Sequence, residues 1–567
     1  MFKNLYELLN IFKINYKKFY FLSAFSALFE IAAYGFAGII ISNFNNSETN
    51  TINIYSLINI EFKYLPLILI VFFLFKTVIQ ISNTYLITRD AWELRTRISS
   101  QLIEKFINID YLKLIKMHSG DLINTIGVEC TRSANFIKQY FDMISKFILS
   151  IILLGFMFNY NFKYSIILIV FNLSIIFIFL KKILNFSKRI GSSRLSITQN
   201  HTLKITNIIN SIVEAKIWKF ENRLKDDYKK IGFEFSNINQ KNAFYPSLVV
   251  PLVEFIIIFS VSVIFLYFFF YGNLKTDIIV EFIILLIVTL RIFQSSAAII
   301  TSLMKVKSLY PSISFLLNEV KSSNRSSLNL KNKKKDMLNT INELTINNIS
   351  YGYDKDNKIF DKASVNFKKN TVNVIIAKSG EGKTTFFNIL AGLIKSDEGE
   401  ILINKSICLS DINHENYLSK LAYVSQNPYM INDTIENNIN INLQEINLDK
   451  FKKATKLSLV EDFISKENLN YKIILEENGR NFSQGQIQRI SLARAIYKSP
   501  DVYLFDESTS ALDDDNQKKV IENLKLIKQN SIVIFVSHRL EILDIADNVY
   551  EIENKQFNKI DAKKKRN

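Results

Sequence analysis

Asn481-Phe482-Ser483-Gln484-Gly485-Gln486-Ile487-Gln488-Arg489 stands ahead of a helix-like run, and Val502-Tyr503-Leu504-Phe505-Asp506-Glu507 follows that run. The first stretch sets a serine hydroxyl and a glycine amide at a helix start. Free N–H groups and the helix dipole hold phosphate there. The second is an apolar strand that ends in two carboxylates.

Working back from that pair, Thr371-Val372-Asn373-Val374-Ile375-Ile376 has the pattern of a buried strand. Ala377-Lys378-Ser379-Gly380-Glu381-Gly382-Lys383-Thr384-Thr385 and a helix come next. Strand, glycine loop, Lys-Thr and helix form a P-loop. Its backbone amides, from Ser379 to Thr385, wrap the phosphates of ATP, Lys383 reaches the β and γ groups, and the Thr384 hydroxyl binds Mg²⁺. The first glycine of the pattern is replaced by Ala377. That position serves the turn out of the strand, so alanine fits if φ is negative there.

The ordered series resembles an ABC ATPase fused to an exporter membrane domain, and the resemblance covers essentially the whole chain. It implies a role for each matching residue. Tyr353 would stack on adenine, and Gln426, in Tyr423-Val424-Ser425-Gln426, would be the Q-loop glutamine that senses Mg²⁺ and the attacking water. Asp506 would hold Mg²⁺ through water, and Glu507 would be the general base. Ser510-Ala511-Leu512-Asp513 matches the D-loop, and His538 matches the switch histidine that contacts the γ-phosphate. Ser483, Gln484, Gly485 and Gln486 match the signature, which completes the nucleotide site of a partner domain. Two departures stand there: Phe482 for the usual leucine and Gln484 for the first glycine. Glu477-Asn478-Gly479 resembles the exporter X-loop, and residues from about 430 to 480 would form a helical subdomain.

Upstream of about residue 305, apolar residues crowd into six stretches, each near the roughly 20 residues that cross a bilayer. These are about Phe19–Ser42, Tyr64–Leu86, Met143–Asn159, Tyr164–Leu184, Leu248–Tyr271 and Ile278–Met304. The expected fold is therefore a six-helix transmembrane domain with long cytoplasmic helical loops, followed by an α/β P-loop nucleotide-binding domain. Residues 1–18 mix apolar and basic positions at helical spacing and suit an interfacial elbow helix. No small-residue cleavage site follows a short apolar core, which disfavours a removable signal peptide. The transmembrane domain would occupy 19–320, a Ser-, Asn- and Lys-rich linker 321–340, and the ATPase 341–567.

The net charge of +17 falls between the apolar runs rather than on one basic face, which argues against nucleic acid as a partner. The connections over 87–140 and 185–245 are rich in Lys and Arg, whereas Asn43–Phe62 has neither. The positive-inside rule then puts the N-terminus, both long loops and the ATPase in the cytoplasm. Within those loops His118–Asn124 and Glu214–Glu221 resemble the two coupling helices of exporters. Cys130 and Cys408 are the only cysteines and carry no metal-type spacing.

Glu30, Lys76 and Arg291 each lie about a dozen residues into a span, and Glu254 and Glu281 lie nearer span ends. Charges at such depth are candidate functional groups. In one reading Arg291, with Lys76, meets an anionic group of the cargo. In the other, Glu30 simply pairs with Lys76 or Arg291, or the side chains snorkel. The resemblance implies a bacterial inner-membrane exporter that works as a dimer of half-transporters, economically a homodimer. The span pattern, the polar Asn43–Phe62 loop with its amphipathic Ile52–Phe62 segment, and Arg291 are similar to flippases of lipid-linked oligosaccharides. A lipid-linked glycan or another lipid is therefore the favoured cargo. A drug or peptide exporter and an ATP-gated channel or non-pumping regulator are the alternatives. Nothing resembling a peptidase precedes the first span, which disfavours a leader-cleaving peptide exporter.

Overall fold

Long runs without helix breakers set the N-terminal architecture. The computed structural model describes residues 7, 16–43, 51–54, 58–61, 64–160, 162–271, 276–330, 338–354, 357–378, 380–537 and 540–561. They divide into two compact units, Met1–Ile109 with Lys113–Lys331, and Asn332–Asn567 with the short segment Asp110–Leu112.

The first unit is helical: α1 (Lys17–Asn43), α2 (Leu65–Ile107), α3 (Tyr111–Ile115), α4 (Ser119–Ile123), α5 (Cys130–Tyr160), α6 (Phe162–Asn210), α7 (Ile212–Trp218), α8 (Glu221–Tyr271) and α9 (Thr276–Leu330). Four of these run for 43, 49, 51 and 55 residues. At 1.5 Å per residue even the shortest spans about 65 Å, twice a hydrocarbon core of roughly 30 Å. The basic connections over 87–140 and 185–245 are thus largely helical continuations of the spans. Among the described residues, four helical segments are long and apolar enough to cross a membrane: Lys17–Phe36, Pro66–Ile107, Ser119–Asn159 and Ile287–Lys321. The fourth and fifth expected spans lie within α6 and α8, where many side chains are outside the described set. The expected elbow over 1–18 falls almost wholly outside it as well. The expected linker begins as helix, because α9 continues to Leu330.

Within the polar outer loop, β1 (Thr51–Ile54) and β2 (Ile58–Glu61) pair antiparallel, with Thr51 opposite Glu61 and Ile54 opposite Ile58. Alternating Ile and polar residues suit two-faced strands.

Helices α2, α5 and α9 pack through Leu94, Ile98, Leu102, Ile137, Phe141 and Ile313, all buried. A π-helical turn, Asn124–Glu129, joins α4 to α5. At its end the fully buried Glu129 accepts a hydrogen bond from Arg132 Nη1 at 2.6 Å, while Arg132 Nη2 donates to Thr198 Oγ1 of α6 at 2.8 Å.

The second unit carries two sheets. One is four-stranded, in the order β4-β3-β6-β7, from β3 (Glu343–Asp354), β4 (Asn357–Lys368), β6 (Glu398–Ile403) and β7 (Ile407–Cys408). The other has the order β12-β11-β5-β10-β9-β8, from β5 (Thr371–Ile376), β8 (Leu421–Val424), β9 (Val502–Asp506), β10 (Ile532–Val536), β11 (Asn548–Glu553) and β12 (Gln556–Ile560). Strands β8, β9, β10, β5 and β11 run parallel. Near-continuous apolar sequence in β9 and β10 fits strands buried on both faces, and every residue of both is buried. Helices α10 (Lys383–Leu390), α11 (His414–Ser419), α15 (Gln484–Lys498) and α16 (Asp514–Ile527) complete this unit. So do α12 (Ile435–Ile439), α13 (Leu448–Leu457) and α14 (Val460–Lys466), which form the helical subdomain around Phe451, Val460 and Phe463.

Removing one partner of a buried ion pair strands the other, at a cost of about 3–5 kcal/mol. Glu129→Ala should therefore lower the unfolding free energy by that order in a denaturant titration. Arg97→Ala, which breaks the exposed Arg97–Glu93 pair, should change it by less than about 1 kcal/mol. Equal losses would show that the Glu129 pair contributes nothing special.

Candidate active site

The parallel register aligns strand ends. Val536 of β10 lies beside Ile375 of β5 on one side and Asp506 of β9 on the other. The P-loop, the acidic pair and the segment toward His538 therefore leave the sheet along one carboxyl edge, where open α/β sheets bind ligands.

In the P-loop Gly380 and Gly382 have φ of +90° and +92°. A Cβ on Gly382 would come within 2.2 Å of Ile359 Cγ2, so glycine is required there by both conformation and space. Gly382 is also the N-cap of α10, and this aims the amides of Lys383, Thr384 and Thr385 toward the loop. Glu381 closes the turn, its carboxylate accepting from the Lys378 amide at 2.6 Å. Ala377 is buried in the core beneath and is not among the residues of positive φ. The glycine-to-alanine departure thus fits without strain. Ser379 and His538 lie outside the described residues.

Two motif side chains meet at Glu507. Lys383 Nζ donates to Glu507 Oε1 at 2.8 Å, and Gln426 Nε2 donates to Oε2 at 2.9 Å. Glu507 itself sits at φ +47°, an uncommon conformation for a residue of this kind, and its amide donates to Val536 O at 3.0 Å. Asp506, only 7% exposed, accepts from Tyr423 Oη at 3.1 Å. Burial pushes its carboxyl above the usual aspartate range, against the opposing pull of the Tyr423 and Thr384 hydroxyls. Tyr353 is 54% exposed, with its hydroxyl 3.3 Å from Thr385 Oγ1. Its ring meets that of Tyr351 in a T-shaped contact at 5.4 Å.

The signature residues stand at the start of α15. Ser483 is the N-cap: its hydroxyl accepts from Gln486 N at 3.2 Å, and Gln486 Oε1 accepts from Ser483 N at 2.7 Å. This reciprocal pair is a capping box. Gln484 is the first helical residue, where its side chain costs no backbone strain. Gly485 has no such latitude, since a Cβ there would lie 2.9 Å from Ala511 O.

Gln488, five residues beyond Ser483, is a junction that the motif pattern does not mark. It is 1% exposed. Its Nε2 lies 3.4 Å from Gln426 O and 3.3 Å from Ser510 Oγ, and its Oε1 accepts from Ala511 N at 3.0 Å. One side chain thus joins the helix behind the signature, the Q-loop and the D-loop. The signal available in sequence was a polar residue on the buried face of a helix.

In the first unit, both cations singled out in the spans turn to the same acid. Arg291 Nε donates to Glu30 Oε1, Lys76 Nζ lies 3.3 Å from Glu30 Oε2, and Tyr34 Oη donates to Oε1 at 3.2 Å. Glu281's side chain is outside the described set, and Glu254 is exposed. Of the first expected coupling segment, His118–Asn124 belongs to the helical unit, where Gly120 packs on Leu203. The residues that cluster with the C-terminal unit come earlier, at Asp110–Leu112, and there Asn388 Nδ2 donates to Tyr111 Oη at 3.3 Å.

The glycine loop, acidic strand end and capped signature helix define a nucleotide-binding domain of the ABC class. Residues 360–510 match the ABC transporter family. A probable ABC transporter ATP-binding/permease protein of Haemophilus influenzae is 32% identical over 217 residues, which are 38% of this chain and 39% of that protein. An ATP-dependent lipid A-core flippase of Francisella tularensis is 33% identical over 220 residues, 38% of this chain and 35% of that one. The matched region thus spans less than two-fifths of either relative. Over nearly the whole length, the fold is similar to a bacterial Atm1-family ABC exporter solved with ATP bound: TM-score 0.72, 16% identity, 97% of this chain and 94% of the other. The chain carries an ABC transporter ATPase domain within the fold of an ABC exporter.

Gln488→Ala should cut steady-state ATP hydrolysis by about tenfold or more, since it removes three contacts worth roughly 1 kcal/mol each. Nucleotide affinity, measured with a fluorescent ATP analogue, should stay within about twofold. Unchanged turnover would reduce Gln488 to a packing residue.

Proposed function

We propose that this chain is one half of a dimeric ATP-driven exporter of the bacterial inner membrane, and that it flips a lipid-type amphipath. The observation that carries the ATPase reading is the convergence of Lys383 and Gln426 on Glu507 at the carboxyl edge of the sheet. A γ-phosphate bound by Lys383 would compete for that ammonium and draw it off Glu507. The carboxylate would then be left to accept a proton from the attacking water. Gln426 would orient the water, and Tyr353 would hold adenine. The neighbouring Thr384 hydroxyl and Asp506 carboxylate form an all-oxygen donor set, which suits Mg²⁺. The ion would neutralise charge on the phosphates.

Catalysis calls for a second copy, because Ser483 and Gly485 are ligands for the phosphate of an opposing P-loop. The exposed apolar residues Val213, Ile217 and Trp218 on α7 suit the same reading, as a contact for a partner's ATPase domain. Lipid cargo is supported by the flippase relatives, whose match covers 38% of this chain. A lipid-linked glycan is the first cargo to test.

The test follows ATP-dependent movement of a polyprenyl-pyrophosphate-linked oligosaccharide in liposomes. Glu507→Gln should lower ATP turnover by about 10²–10⁴-fold while ATP-bound dimers persist. Movement in the wild type alone establishes a lipid-linked glycan flippase. Hydrolysis without movement passes the cargo to other lipids, peptides or drugs. Wild-type turnover in Glu507→Gln would overturn the general-base assignment.

A further inference from the structure

A polar cavity of about 230 Å³ opens among α1, α2, α5 and α9 of the helical unit. Its charged lining consists of Glu30, Lys138, Asp142, Lys146 and Arg291. Glu30 is engaged by Arg291 and by Lys76 behind it, so these charges compensate one another inside the wall. Asp142 accepts from Ser302 Oγ at 3.1 Å. Lys138 and Lys146 flank it at one helical turn either way, and among the described residues neither makes an ion pair or hydrogen bond. Two ammonium groups so placed attract an anion.

The facing wall on α2 presents Gln80, Asn83 and Thr84, at the i, i+3 and i+4 spacing of one helix face. Asn83 is 94% buried, as its 6% exposure shows, and its Nδ2 donates to Ser23 Oγ at 3.0 Å. Its Oδ1 has no partner among the described residues. That oxygen is closed to solvent, so Asn83 contributes to the polar wall behind Gln80 and Thr84. The cavity also straddles the cytoplasmic ends of the spans read over Tyr64–Leu86 and Met143–Asn159, with Thr88 and Lys138 beyond them. Headgroups, not acyl chains, lie at that level.

We propose that this cavity binds the headgroup of an anionic, polyhydroxylated lipid. Lys138 and Lys146 anchor the anion, while Gln80 and Thr84 meet the hydroxyls. Arg291 and Lys76 act as positioning residues that hold Glu30 in the wall and do not touch the headgroup. The inference rests on the exporter reading for its orientation in the membrane, and it moves the cargo contact from the cations deepest in the spans to a pair on α5.

Binding to the full chain in phosphatidylcholine nanodiscs, without ATP, tests it. Dioctanoyl phosphatidylinositol serves as the anionic polyol lipid, dioctanoyl monogalactosyldiacylglycerol as its neutral counterpart and inositol 1-phosphate as the soluble one. The phosphatidylinositol should bind at least about tenfold more tightly than the galactolipid, a difference of about 1.4 kcal/mol. Lys138→Gln with Lys146→Gln should abolish that preference, Lys138→Arg with Lys146→Arg should restore it, and Lys188→Gln on the exposed face of α6 should leave it intact. Thermal midpoints without ligand confirm that each variant is folded. Undiminished binding by the double glutamine variant overturns the site. Equally tight inositol 1-phosphate overturns the lipid source. Loss of ATP-driven movement with binding retained would count against the exporter reading alone, and movement without this binding against the cavity alone.

Discussion

The register of β5, β10 and β9 is the constraint on which the nucleotide site depends. Parallel strands buried on both faces cannot slip without moving apolar side chains and breaking a ladder on each side. With Ile375, Val536 and Asp506 locked side by side, three loops distant in sequence must emerge at one edge. The left-handed turn at Glu507 then directs its carboxylate back across that edge to Lys383 and Gln426. Strain at this residue is tolerable because the strand behind it is fully packed.

Around that edge, the moving parts are linked through few side chains. Gln488 ties the signature helix to the Q-loop and the D-loop with contacts to two backbone groups and one hydroxyl. The Ser483–Gln486 capping box fixes the helix start independently of any ligand. A change in the Q-loop is therefore felt at the helix that presents the signature, and Gly485 can approach the D-loop backbone only because it lacks a Cβ.

The helical unit shows a different economy of charge. Glu30, with its side chain only 3% exposed, takes both Arg291 and Lys76. A buried ion triad of this kind is compensated internally and adds little net attraction for an outside anion. Lys138 and Lys146 lie one helical turn from Asp142 but make no ion pair among the described residues, which leaves both ammonium groups open to a ligand.

The sequence by itself determined the P-loop, the acidic strand end, the signature and the apolar runs, because phosphate chemistry and bilayer thickness impose local patterns. Strand Thr371–Ile376 and strand Ile532–Val536 could be read to the residue, since buried parallel strands leave uninterrupted apolar segments. The Ala377 departure was also resolvable in principle, as a question of one φ angle. Tertiary structure alone decided what depends on distant partners. It paired Arg291 and Lys76 on Glu30, placed Gln488 between two loops, paired Thr51–Ile54 with Ile58–Glu61, and brought Tyr111 within hydrogen-bond reach of Asn388. A polar side chain on a helix carries no mark of its partner in the chain, and only packing brings residues such as 30 and 291 within hydrogen-bond reach.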